Sequence, residues 1–347
     1  MAERRITSQD VADLAGVSRT TVSFVLNNDT RFSIRPETKL KVHEAAAKLG
    51  YVPNASARAL ASNQAKAIGL IMTRDTRYIS SDVFLPLLIG GLLDSVKLFG
   101  ISLLIEWVEP GQQLQTYHKL TGAKHIDGMI LTISRYDDTG LKVLENADIP
   151  VVLMGTVPNS QLHSVDIDNA ASARKAVDHL LKLGHQQIAC ITDAPLPYSS
   201  AAQRLNGYQQ ALQSAGIGFD ETLVRYGDFD AESGYKAMQS LLKNKTEFSA
   251  VFAASDNISF GAMEAAREAG LNIPGEVSFV GHDDIPLARF AHPPLTTIRV
   301  PAAEIARQSC QLLLELLIDN HSPKRNILLE TELIIRNSTK EKEGTHQ

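Results

Sequence analysis

The chain of 347 residues is long enough for two or three domains, and its 44% hydrophobic and 21% charged content is that of a globular protein rather than a disordered or fibrous one. No apolar run reaches the ~20 residues of a membrane-spanning helix, which argues against a membrane-embedded role. The net charge of −5 is unevenly divided: residues 1–66 hold ten Lys and Arg against six Asp and Glu, and the remainder 24 against 33. A basic head on an acidic body suits a phosphate-contacting module joined to a sensor.

In chain order, Thr7 to Asn27 reads as two short helices joined by a tight turn. Thr7 is a fitting N-cap, with Asp10 three positions on as a carboxylate variant of the capping box. Val11 and Ala15 share one face, and Gly16 supplies the positive φ that a sharp helix-to-helix turn usually demands. Ser18 caps the second helix, whose Val22, Val25 and Leu26 turn inward at intervals of three and four. Arg19, Thr20 and Ser23 are left facing outward near its N-terminus, where a recognition helix meets base edges in the major groove. An ordinary helical hairpin would carry the same pattern. The next segment favours the DNA-binding reading: residues 35–50 open near Pro36, carry an apolar stripe at Val42, Ala45, Ala46 and Leu49, and end at Gly50 and Pro53. In Asn54 to Ser62 small residues dominate and Leu60 is the only large apolar side chain, which fits a plain linker or a wedge between base pairs in the minor groove.

From Ala67 onward, apolar runs alternate with helix-like segments. Strands are expected at 67–72, 102–105, 128–132 and 151–154, then at 188–191, 223–226, 250–253 and 277–280. Runs this apolar imply strands buried on both faces of helix-covered parallel sheets, and two series imply two α/β lobes. Ligands settle at the carboxyl ends of such strands. Arg204, Phe229, Ser255 to Asn257, and Asp283 with Asp284 fall there; a guanidinium, an aromatic face, an amide and carboxylates suit a polyhydroxylated ligand. The bland alternatives are that such an Asp caps the next helix and that an Arg beside it forms a plain ion pair. In the first series Asp75, Asp82, Phe84 and Asp168 are the candidates, while Trp107 fits a core position better than a stacking one. Cys190 and Cys310 are far apart and lack nearby His or Cys, so buried thiols are expected, with no metal and no cofactor. The charged opening Met-Ala-Glu-Arg-Arg does not read as a signal peptide, and a cytoplasmic address is expected.

Several of these segments together resemble one family. Asp10-Val-Ala-Asp-Leu-Ala-Gly-Val-Ser-Arg-Thr-Thr-Val-Ser23, Leu49-Gly-Tyr-Val-Pro-Asn54 and Ala57-Arg-Ala-Leu60 resemble the LacI/GalR (lactose/galactose repressor) family of bacterial transcriptional regulators. So do His179 to His185, Arg204 to Tyr208, Ser255 to Asn257, Val280 to Asp284 and Pro293 to Ile298, in the family's order, so the likeness runs from about Ile6 to about Arg336. It implies an N-terminal all-α helix-turn-helix DNA-binding head at 1–52 and a hinge helix or linker at 53–66. A two-lobed, periplasmic-binding-protein-like α/β core with parallel sheets then fills 67–336. Lobe 1 takes about 67–169 and 298–323, lobe 2 about 170–297 and 324–336. Residues 337–347, polar and without a leucine heptad, are expected to be a disordered tail, which favours a dimer.

The resemblance also assigns roles. Arg19 and Thr20 become base readers, Ser18, Thr21, Asn27 and Asn54 phosphate contacts, and Ser23 and Phe24 further positions on the DNA face. Ala57 and Leu60 enter the minor groove from the hinge. Phe24 stands where many members carry a guanine-reading arginine; a phenyl ring can only touch a thymine methyl or tuck into the head's own core. Arg204, Phe229, Asn257 and Asp283 fall at effector-pocket positions, to which Asp75, Asp82, Phe84 and Asp168 are added, although residues 77–86 depart from the family's usual turn. The function implied is a repressor that binds a near-palindromic operator as a homodimer, under the control of a mono- or oligosaccharide. An exported sugar-binding receptor would share the two-lobed body but has no use for residues 1–62. An enzyme finds no support in a phosphate-cradling loop, a metal cluster or a Ser/His/Asp set.

Overall fold

The computed structural model describes all residues except 1–5, 28–31, 53–63, 75, 110, 133, 245–246, 320–321 and 343–347. Two compact units result, the head helices and an α/β core that begins at Ala67. In the head, α1 (Ser8–Ala15), α2 (Arg19–Leu26) and α3 (Pro36–Leu49) form where the capping residues stand. Thr7 and Asp10 make a complete capping box, Gly16 turns the chain at φ 66°, Ser18 Oγ accepts from the Thr21 amide, and Gly50 closes α3 at φ 62°. Val11, Ala12, Val22, Val25, Val42, Ala45 and Ala46 are buried together as the head's own small core.

The core alternates strands and helices: β1 (Ala67–Met72), α4 (Leu85–Leu98), β2 (Ser102–Trp107), α5 (Gln113–Gly122), β3 (Gly128–Thr132), α6 (Leu141–Glu145), β4 (Val151–Met154) and β5 (His163–Ile167). The second series is α7 (Asn169–Lys182), β6 (Ile188–Ile191), α8 (Ser199–Ser214), β7 (Val224–Arg225), α9 (Ala231–Lys243), β8 (Ala250–Ala253), α10 (Asp256–Glu268), β9 (Ser278–Asp283) and β10 (Thr296–Arg299). The chain closes with α11 (Ala302–Ile318), β11 (Asn326–Leu329) and β12 (Glu332–Ile334).

One six-stranded sheet runs β11-β5-β4-β3-β1-β2, and the other β12-β10-β9-β8-β6-β7. All recorded pairings are parallel except β10 with β12. Right-handed β-α-β crossovers are the usual means of making such sheets, and they leave helices covering the faces. Accordingly β1, β3, β4, β6 and β8 are buried along their whole length. Edge strands do not follow that rule: Leu104 and Ile105 of β2 are largely exposed, because β2 has a partner on one side only.

The chain passes between the sheets after β5, after β10 and again after β11. Two boundaries differ from expectation. Ile298 and Arg299 still belong to β10 in the second sheet, and β11, expected in lobe 2, pairs with β5 in the first sheet through Asn326 to Leu329. Helix α11 does return to the first lobe, where Ile305, Cys310, Leu312, Leu313 and Leu316 are buried with β1, β3 and β4. The expected disordered tail is also corrected through Lys342. Ser338 is fully buried, its Oγ donating to Phe279 O at 2.6 Å and accepting from Thr296 N at 2.8 Å, and the Lys342 amide donates to Leu183 O at 2.8 Å. A polar segment is held because these bonds satisfy its backbone, with no apolar pattern to announce it. Among the described residues no helix is long and apolar enough to cross a membrane.

Helix pairing in lobe 2 depends on close approach. A Cβ on Gly261 of α10 would lie 1.7 Å from Ala231 O at the start of α9. Gly261→Ala should therefore force α9 and α10 apart and cost about 3 kcal/mol, read as a lower midpoint in urea unfolding of the full chain.

Candidate functional site

On the head, Arg19 and Thr20 are exposed at the first turn of α2, with Arg19 Nε donating to Ser8 Oγ at 3.0 Å, so that α1 orients this side chain. Ser18 caps the same turn, its Oγ accepting from the Thr21 amide and bonded to the Thr21 hydroxyl. Asn27 Nδ2 donates to Ser23 Oγ at 3.2 Å, and its own Oδ1 is buried without a partner among the described residues. Phe24 is half-buried and stacks on Phe32, ring centroids 4.2 Å apart, outside the head's core cluster. Asn54, Ala57 and Leu60 lie outside the described residues, as does Asp75 of the core.

In the core, the carboxyl ends of both sheets open on one cavity of about 170 Å³. Its wall includes Arg204, Phe229, Asn257, Asp283, Asp82 and Phe84, all expected from the sequence, so residues far apart in the chain are brought together. Asp168 is not in that wall. It is exposed, and its Oδ1 accepts from the Ala171 amide at 2.8 Å as the N-cap of α7. Asp166 and Asn169 of the same helix-entry turn line the cavity, Asn169 being the other member of the Asp168-Asn169 pair that the family resemblance brings to the cleft.

Arg204 is the electrostatic centre. It projects from the second turn of α8, with Nε donating to Asn169 Oδ1 at 2.9 Å and Nη1 to Ala254 O at 2.6 Å; Asp193 lies at 3.6 Å and Asp283 at 4.0 Å. Burial is the main reason that the Asp166 carboxyl is pushed up to about 6, against the opposing bonds from Ile167, Thr156 and Asn169 and the charge of Arg204. Burial pushes Asp283 up in the same way, with Arg204 pulling it down. His282 Nδ1 lies 3.2 Å from Asp283 Oδ1; burial, and then Arg204, hold this imidazole well below its ordinary range.

Four further wall residues were not singled out in the sequence: Arg74, Asp193, Tyr198 and Ser134. Arg74 and Asp193 do follow β1 and β6, so the strand-end rule that found Asp283 could have found them. Arg74 is almost wholly buried and pairs with Asp82, its guanidinium 5.2 Å from the Phe229 ring centroid and 5.8 Å from those of Tyr78 and Trp107. Trp107 donates its Nε1–H to Arg74 O, so it supports the wall from behind. Phe229 stands edge-on to Tyr198 at 4.8 Å and holds φ 68°, and Asp283 holds φ 116°. Non-glycine residues in this region are strained by about 1–3 kcal/mol each, and such positions cluster at functional sites. Arg74 Nε, Asp193 Oδ1 and Ser134 Oγ are buried with no hydrogen-bond partner among the described residues. Buried polar atoms are seldom left so, and a bound group that supplies the partners removes the penalty.

Residues 7–54 match the pattern of bacterial regulatory proteins of the lacI family, and residues 177–339 that of a periplasmic binding protein-like domain. The chain is 34% identical over 338 residues to the HTH-type transcriptional regulator CelR of Thermobifida fusca, covering 96% of this chain and 98% of the relative. It is 36% identical over 342 residues to the HTH-type transcriptional repressor CytR of Escherichia coli K12, covering 97% of each. The chain belongs to the lacI family. Solved structures agree: a lac repressor dimer bound to operator and the anti-inducer ONPF superimposes with a TM-score of 0.87 at 30% identity, covering 97% of this chain and all (100%) of that one. A CelR–cellobiose complex does so with a TM-score of 0.74 at 34% identity over 96% of this chain and 100% of that one. This lacI-family chain is thus a helix-turn-helix transcriptional regulator with a two-lobed α/β core, and its relatives are regulators rather than enzymes.

Asp166 gives the cavity a pH signature. Its folded value, raised to about 6, exceeds its unfolded value near 3.8, so its contribution to stability is whole below about pH 4 and is lost as pH rises through 6. Asp166→Asn should be indistinguishable from the parent chain at pH 4 and more stable at pH 8 by about 3 kcal/mol, as measured by urea unfolding at the two pH values.

Proposed function

We propose that this regulator binds a near-palindromic operator as a homodimer and that a sugar in the inter-lobe cavity controls its affinity for DNA. The observation that carries the effector half is a set of buried atoms without a hydrogen-bond partner among the described residues, Asp193 Oδ1, Ser134 Oγ and Arg74 Nε, around a cavity also lined by Phe229 and Tyr198. Hydroxyl groups donate and accept, so vicinal hydroxyls satisfy a carboxylate oxygen and a guanidinium in one ligand, while the ring's apolar face rests on an aromatic one. Arg204, Asp283, Asp82 and Phe84 complete the effector site in this reading, and the relatives solved with cellobiose or with ONPF support it.

On the DNA side, Arg19 and Thr20 read bases, while Ser18, Thr21, Ser23 and Asn27 hold phosphates or flank the readers. Asn54 contacts a phosphate, and the hinge at 53–66 brings Ala57 and Leu60 to the minor groove, with Leu60 as the wedge. Dimerisation has a suitable surface in lobe 1, where Leu93, Leu98 and Phe99 of α4 and its end are exposed, as are Leu104 and Ile105 of edge strand β2. Such a cluster on a sheet edge is the kind a partner covers. Action on chromosomal DNA fits a cytoplasmic address, and repression is the outcome that the named relatives support.

Fluorescence anisotropy with promoter fragments tests both halves. Specific affinity should fall at about 10⁻⁸ to 10⁻¹¹ M. Leu60→Ala should weaken operator binding by at least about tenfold while leaving a sugar-induced thermal shift intact; unchanged affinity refutes the wedge. Asp283→Asn should abolish the effect of sugar on DNA binding but not DNA binding itself. A chain that ignores duplex DNA at low salt would end the reading.

A further inference from the structure

We infer that residues 76–84 form a lid, latched by Tyr78 on Asp228 and by Ser81 on Asn257, that limits the effector to a single ring. The inference rests on reading the cavity as a sugar site and adds the size class that the site accepts. The segment begins with a tight 3-10 turn, Thr76–Tyr78, and is anchored to its own lobe by Asp82. That carboxylate pairs with Arg74 and accepts from the amides of Phe84 and Leu85 at 2.8 Å each. From there the lid reaches lobe 2. The Tyr78 hydroxyl donates to Asp228, Arg77 lies 3.3 Å from the same carboxylate, and Asn257 Nδ2 donates to Ser81 O at 2.8 Å. The buried Tyr78 ring packs on Phe229 with centroids 5.4 Å apart.

Another part of the wall is tied across the lobes as well. The Tyr136 amide donates to Pro197 O at 2.8 Å and the Ser199 amide to Ser134 O at 3.0 Å. Between these ties the cavity measures about 170 Å³, close to the ~150 Å³ of an engineered cavity that admits benzene. A space of this size is on the scale of a single ring rather than of two linked rings. Asn257 thereby has a second role, since its amide closes the lid as well as facing the cavity. Burial, and then the bond to Asp228, push the Tyr78 hydroxyl up to about 12, so it stays protonated and remains the donor at neutral pH.

The full chain should be titrated calorimetrically with D-glucose, D-galactose and D-ribose as single-ring probes, and with cellobiose and lactose as two-ring probes. At least one single-ring probe should bind and neither disaccharide should. Tyr78→Ala should weaken the single-ring probe on the order of tenfold and admit a disaccharide. A disaccharide that binds the parent chain as tightly as the best single-ring probe overturns the lid while leaving the sugar reading intact. If no saccharide of either size binds, the sugar reading fails, and the latch is decided without ligand. The milder Tyr78→Phe and Asp228→Ala variants, checked for native circular dichroism, should speed amide exchange across residues 76–84 on the order of tenfold. They should also expose Trp107, the single tryptophan of the chain, to acrylamide quenching. Exchange and quenching equal to the parent's would overturn the latch.

Discussion

A buried guanidinium has to be matched by acceptors, and the match around Arg204 holds the centre of the core together. Its bonds reach the start of α7 through Asn169 and the end of β8 through Ala254, and its charge faces the carboxylates that follow β6 and end β9. Four elements of lobe 2 are therefore fixed at their cavity ends by one side chain. Removing either sign of charge from such a cluster leaves the other uncompensated in a medium of low dielectric. Carboxylates outnumber guanidiniums in the wall, with Asp82, Asp166, Asp193 and Asp283 against Arg74 and Arg204. Burial raises the proton affinity of two of the four, Asp166 and Asp283. A wall of this composition is rich in acceptors and favours ligands that bring donors.

The same geometry links ligand to lobe position. Arg74, Asp82 and Ser134 come from lobe 1, and Asp193, Arg204 and Asp283 from lobe 2, so one ligand can bond both. Differential affinity for two arrangements of the lobes is all that a ligand needs to shift their balance. Helix α11 and strand β11 lie in lobe 1 although the chain has already built nearly all of lobe 2, so the two lobes are joined by three separate connections. Three connections restrict the lobes to hinge-like motion, whereas a single linker would leave them free. The head has its own capped helices and its own core, and needs no part of this arrangement to fold locally.

How far the site could be read from the sequence depended on the range of the interaction involved. Arg204, Phe229, Asn257 and Asp283 were legible because they follow strands that are apolar throughout, and the strand-end rule holds for any parallel sheet. Asp168 came instead from the family resemblance, as one of a pair with Asn169 at the lobe boundary: it lies at the right turn, but its carboxylate is committed to the α7 amide, and Asn169 beside it lines the cavity. Tyr198 and Ser134 carry no signal, since they meet only because a loop of lobe 1 pairs with a loop of lobe 2 across the cavity.

The sequence by itself determined the three head helices with their caps and turns, the parallel α/β class, and the central strands. Each of these is set by residues within one or two turns of each other or by continuous burial. Only the tertiary structure decided that β11 joins the first sheet, that β2 is an exposed edge, that residues 337–342 are tied down, and that residues 76–84 cross the cleft. For β11, the tail and residues 76–84 the deciding partner is remote in the chain, at β5, at Phe279 and Leu183, or at Asp228 and Asn257, while β2 is an edge because the sheet order ends there. Local pattern carries no record of a partner that only folding brings within hydrogen-bonding reach.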